Sequence, residues 1–116
     1  GVSVFRISGQ DTKRALEALI GSSSIPQHRF ASLRTIRNPA TNEVLDQGLV
    51  LWFEGPRSFT GEDLAELHVH GSIAVVEAMH AVLESLSFLR PAQAGEFSRR
   101  ALMNGKMDVL TAEGLA

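Results

Sequence analysis

Residues 65–70 constrain the fold more than any other stretch of this chain. Ala65, Leu67 and Val69 alternate without a break with Glu66, His68 and His70. A strand turns successive side chains to opposite faces. One sheet face therefore receives three apolar residues, and the other receives a carboxylate and two imidazoles in a row. Such a row costs little under water and much if it is buried without partners. Thr60-Gly61-Glu62-Asp63 before it is turn chemistry, and Gly71 closes it.

The pattern around this strand predicts an α+β domain. Residues 2–7 read as a first strand, with Ser8 as N-cap of a helix over 10–20 whose apolar stripe is Ala15, Leu16, Leu19 and Ile20. Gly21 ends that helix, and 22–26 is a loop. Residues 31–37 form a second strand, 38–42 a turn, and 44–53 a third strand. The run 49–53 is apolar on both faces, which places this strand inside the sheet. A helix over 72–87 carries Val76, Met79, Leu83 and Leu86 at helical spacing. An extended stretch at 89–92 after it gives a βαβ-like unit. A third helix over 96–103 stops at Asn104-Gly105, with Lys106 just beyond. Asp108 caps a last helix that runs to the end of the chain. The expected architecture is a four- to five-stranded mixed sheet with helices packed on one face.

A chain of 116 residues suits one domain with a core that needs no staples. It has no cysteine, which excludes disulfides and thiolate chemistry. A formal net charge of -2 gives no global electrostatic case for nucleic-acid binding. No apolar run approaches the roughly 20 residues that span a bilayer, and no signal peptide is visible. The strand-like start without an initiator Met and the helix at the other end lead us to expect a piece of a longer protein.

Three readings compete for Glu66, His68 and His70. Two imidazoles and a carboxylate form a common metal-ligand set. Alternate strand residues lie about 6.5–7 Å apart, but three ligands in a line make poor tetrahedral geometry. A partly solvated polar face is the bland reading, and a ligand pocket anchored by Glu66 is the third. Arg6 shares a face with Val2 and Val4 at the end of the first strand, as a solvated tip, a salt bridge or an anion contact. Lys106, past a helix stop, can complement a helix dipole. Gly105-Lys106 fails the phosphate-loop pattern, since Arg100 stands at the first glycine and Met107 at the Ser/Thr position. No Ser/His/Asp set has motif support; His28, in a loop, and His80, on a helix, read as solvated.

Six blocks carry a resemblance: Phe-Arg-Ile-Ser-Gly (5–9), Leu-Asp-Gln-Gly (45–48), Leu-Trp-Phe-x-Gly-Pro-x-Ser-Phe-Thr-Gly-Glu-Asp (51–63), Glu-Leu-His-Val-His-Gly (66–71), Ala-Gly-Glu-Phe-Ser-Arg-Arg-Ala (94–101) and Asn-Gly-Lys-Met-Asp (104–108). Together they resemble the N-terminal domain of tRNA-modification GTPases of the MnmE/TrmE type. The chain departs from the bacterial pattern at Ser72, which replaces a second glycine, and at Gln93-Ala94, which replaces Arg-Pro. Ala-Gly-Glu-Phe and His-Val-His-Gly look more like the eukaryotic, mitochondrial members.

The resemblance implies a fold similar to folate-binding aminomethyltransferase domains. It implies a homodimer that binds 5-formyltetrahydrofolate near its interface, with Arg6, Glu66 and Lys106 as the folate residues. Residues 1–107 would be the folate-binding and dimerisation domain, and 108–116 the start of a helical domain that carries a GTPase module. The whole protein would work with a flavin-dependent partner on C5 of the tRNA wobble uridine. It would be mitochondrial in a eukaryote and cytoplasmic in a bacterium, with no membrane contact. This stretch alone would have no catalytic residue and no metal. The rival is a purely structural dimerisation module without a functional pocket.

Overall fold

The computed structural model describes residues 1–103, so the Asn104-Gly105 stop, Lys106 and the helix expected from Asp108 lie outside the described residues. The elements run β1 (Val2–Ser8), α1 (Thr12–Ile20), β2 (Ser32–Arg37), β3 (Val44–Phe53), β4 (Leu64–His70), α2 (Ile73–Ser85) and α3 (Glu96–Met103). The strands form one four-stranded sheet in the order β1-β4-β3-β2. All three pairings are antiparallel, so the sheet is not mixed. The expected βαβ unit does not form: residues 89–92 lie outside the sheet. Pro91 removes a donor from that stretch, and Arg90 is drawn instead to Glu96 on α3.

The alternation in β4 sets where the core lies. Ala65, Leu67 and Val69 are buried, and they pack with Ile7, Ile36, Val50 and Trp52 against Ala15, Leu16 and Leu19 of α1 and Met79 and Val82 of α2. Both helices thus cover one face of the sheet. β3 lies inside the sheet as its composition predicts, but its second face stays open. Val2, Val4, Leu33 and Leu49 are 71%, 47%, 62% and 44% exposed, and register places Val4, Leu49 and Leu33 in one row with His68. Gly48 holds β3 close to β4 there: a Cβ on it would sit 2.4 Å from the His68 carbonyl oxygen.

Ser8 is not the cap of α1. It is the last residue of β1, and Asp11 stands at the N-cap position without a side-chain bond. Its hydroxyl is committed across the chain instead, 2.7 Å from Thr60 Oγ1 and 3.2 Å from the Asp63 carbonyl. Asp63 C=O also accepts the Gly9 N–H at 3.0 Å. The Thr12 hydroxyl shares its proton between Gly9 C=O at 2.8 Å and Asp63 C=O at 3.2 Å. The Asp63 carboxylate takes the Gly55 N–H at 2.9 Å, and Ser58 Oγ donates to the Glu62 carbonyl. Gly61, at φ 81, supplies the left-handed residue of this turn. The polar residues of Ser-Phe-Thr-Gly-Glu-Asp therefore knot the loop before β4 to the β1–α1 junction.

His28 is half-buried, not simply solvated. Its Nδ1 accepts the Glu54 N–H at 2.9 Å, its Nε2 is buried without a partner among the described residues, and its ring meets Phe53 edge to face. His80 is exposed on α2, with its ring 5.1 Å from that of Phe5.

Candidate functional site

Antiparallel pairing of β1 with β4 sets Arg6 directly opposite Glu66. Arg6 Nε lies 3.2 Å from Glu66 Oε2. His68, two residues on and on the same face, puts Nε2 2.9 Å from Oε1. The Glu66 side chain is 18% exposed and that of Arg6 52%, so the acid is recessed and the base reaches outward. Two residues 60 positions apart in the chain thus meet because the first and fourth strands are neighbours.

Arg6 and Glu66 line a cavity of about 520 Å³, completed by Phe59, Leu64, Gly95 just before α3, and Phe97 and Ser98 in its first turn. That volume lies in the roughly 300–1,000 Å³ range of small-molecule pockets. Phe59, Phe97 and Leu64 give it apolar walls, and Glu66, Arg6 and Ser98 are its polar lining among the described residues. A carboxylate offers about four acceptor sites, two on each oxygen. Among the described residues, Arg6 uses one on Oε2 and His68 one on Oε1, which leaves one on each oxygen for a ligand edge that presents two N–H groups side by side. A larger cavity of about 760 Å³ adjoins it along β1 and shares Arg6 and Phe97. Its charged walls are largely engaged with each other, through Arg90 with Glu96 and Arg100 with Glu62.

Glu96 anchors that neighbouring cluster. It is buried, and Arg90 grips both its oxygens at 2.9 and 2.6 Å. Gln93 N–H adds a bond at 2.9 Å and Arg100 Nη2 lies 3.0 Å away. The Arg90 hydrogen bonds first, then that of Gln93 with the charge of both arginines, hold its carboxyl down at about 2. His70 is engaged apart from Glu66. Its N–H and Nδ1 lie 2.8 and 2.9 Å from the Asp46 carboxylate. Burial pushes the Asp46 carboxyl up, but the hydrogen bonds from His70 and Gln47 outweigh it and leave it below the usual aspartate value. Glu66, His68 and His70 share a face without converging on one point, and no group of three such side chains among the described residues is placed to hold a metal ion.

A family model described as GTP-binding protein TrmE N-terminus matches residues 1–106. This chain belongs to the TrmE N-terminal family. Over all 116 residues it is 56% identical to the tRNA modification GTPase MnmE of Agrobacterium fabrum, and covers 26% of that protein. It is 53% identical to a mitochondrial 5-taurinomethyluridine tRNA synthase subunit of Danio rerio over the same span, 23% of that protein. The MnmE of Pelagibacter ubique is 44% identical over 116 residues, 26% of its length. The chain thus spans about a quarter of the length of the curated relatives it matches. Bacterial and mitochondrial proteins stand together among them, and no described helix is long and apolar enough to cross a membrane.

Of the residues that the TrmE resemblance singles out, Arg6 and Glu66 come together in the structure. Lys106 lies outside the described residues. Sequence reasoning overlooked the two aromatic walls, Phe59 and Phe97, although each sits inside a block that carried the TrmE resemblance. It also overlooked the His68 bond to Glu66, for which two-residue strand spacing was the available signal.

Proposed function

We propose that this chain binds a reduced folate, of the 5-formyltetrahydrofolate type, in the cavity of Arg6 and Glu66. The observation that carries this reading is the recessed Glu66 carboxylate, held from one side by Arg6 and facing an aromatic-walled cavity with one open acceptor site on each oxygen. A pterin edge offers an amino group and a ring N–H side by side, which suits a bidentate, charge-assisted pair. Each such bond contributes roughly 1.5–3 kcal/mol. Phe59 and Phe97 would flank the ring, and the outer nitrogens of Arg6 suit a ring oxygen or a tail carboxylate. Lys106 is the third expected contact. The folate supplies a one-carbon unit when bound; the protein residues bind and orient it.

The same proposal has the chain pair with a second copy through the open sheet face, where Val2, Val4, Leu33 and Leu49 expose apolar surface. It places this domain in a protein that modifies C5 of the tRNA wobble uridine with GTP and a flavin-dependent partner, in the mitochondrion of a eukaryote or the cytoplasm of a bacterium. The names of the relatives, a tRNA modification GTPase and a mitochondrial 5-taurinomethyluridine tRNA synthase subunit, support the tRNA-modification part of that role.

Calorimetry with 5-formyltetrahydrofolate tests the ligand. Binding in the micromolar range, lost in Glu66→Ala with the fold intact, is the expected outcome. A folded dimer that takes up no folate, and whose melting temperature the ligand leaves unmoved, would reduce the domain to a scaffold.

A further inference from the structure

We propose that His68 is a positioning residue for Glu66, and that its Nε2–H rather than its basicity is what the site uses. This rests on the folate reading of the cavity. The geometry supports it in three steps. First, His68 Nε2 lies 2.9 Å from Glu66 Oε1 while Arg6 Nε lies 3.2 Å from Oε2. The two donors hold the carboxylate from opposite oxygens, which fixes the plane in which its remaining lone pairs point. Second, the Arg6 side chain is 52% exposed on an edge strand, whereas the His68 side chain is 29% exposed and is carried by an interior strand. It is therefore the steadier of the two. Third, Gly48 lets β3 close tightly on the His68 backbone, where a Cβ would meet the carbonyl oxygen at 2.4 Å. The imidazole thus stands on backbone clamped from the neighbouring strand.

The ligand consequence is specific. A guest that offers two adjacent N–H groups needs both carboxylate oxygens in one plane facing the cavity. Without the His68 donor, Oε1 is free to rotate toward water, and the two-point contact degrades to one. A carboxylate accepts this bond from a neutral or a protonated imidazole alike. A glutamine at the same place carries an N–H₂ donor near the position of Nε2. An asparagine is too short to reach.

The experiment uses the full chain and two readouts. Nitrogen NMR of the ligand-free protein is expected to show His68 with its proton on Nε2. A proton on Nδ1 with Nε2 bare would overturn the proposal. Calorimetry with 5-formyltetrahydrofolate then compares His68→Leu, His68→Asn and His68→Gln, each checked for an unchanged fold by circular dichroism. His68→Leu and His68→Asn are expected to weaken binding about tenfold or more, as loss of one charge-assisted bond implies, and His68→Gln to restore it to within a few-fold. Equal affinity in parent and His68→Leu would sink the positioning role while leaving folate binding intact. Weak binding in His68→Gln as in His68→Leu would show that the imidazole itself is required. A parent chain that binds no folate at all would remove both readings.

Discussion

At the scale of single residues, the same acid does different work depending on what surrounds it. Glu66 keeps open acceptor sites and faces a cavity. Glu96 is saturated by Arg90, Gln93 and Arg100 and serves the fold. Its carboxyl titrates at about 2 instead of the ordinary 4.5. A depressed folded-state value means that the stabilisation is fully present above about 4.5 and is lost as pH falls through about 2. Glu96→Gln should therefore lower the melting temperature at neutral pH, with the gap to the parent closing between pH 4.5 and 2. A gap that stays constant across that range would contradict the assignment. Little of this was legible beforehand. Alternation in β4 put Glu66 and His68 on one face, but no local pattern distinguishes an acid that waits for a ligand from one already gripped by two arginines. His28 shows the same limit: a loop position suggests solvent, yet a backbone donor 26 residues away claims its ring nitrogen.

At the scale of elements, composition located the pieces and long-range bonds decided their roles. β3 was readable at both ends because turn residues stand before Val44 and the apolar run from Leu49 closes it at Phe53, and α3 was readable from its first acid. Ser8 was misread because a serine ahead of a helical stripe looks like a cap. Thr60, 52 residues later, takes its hydroxyl instead. The stretch at 89–92 looked like a strand because it is short and follows a helix, but the Arg90–Glu96 contact holds it over α3. The loop before β4 is the clearest case. Its residues are among the blocks that carry the family resemblance, and the structure gives them a mechanical task. Thr60 is fully buried, bonded to Ser8 and accepting the Glu62 N–H at 3.3 Å. Thr60→Val keeps the shape and removes both bonds. It should cost about 1–3 kcal/mol, read as a lower denaturant midpoint at unchanged slope. An unchanged midpoint would mean that the knot contributes nothing.

At the scale of the whole molecule, one sheet face is covered by α1 and α2 and the other presents an apolar row. Burial of that row against a second copy is the proposed arrangement, and Leu33, far from the cavity on β2, isolates it from ligand binding. Leu33→Asp should shift sedimentation from dimer to monomer while far-ultraviolet circular dichroism stays that of the parent. A dimer that persists would move the contact elsewhere. The sheet order has a further consequence. Among the described residues β1 is an outermost strand, and bonds from Gly9 N–H to Asp63 C=O and from Gly71 N–H to Gly1 C=O make its odd-numbered residues the hydrogen-bonded partners of β4. The main chain of Arg6 therefore looks away from the sheet, and its side chain borders both hollows. A guest beside it would have a way in and out through the flank, so an assembled pair could trade one guest for the next without coming apart.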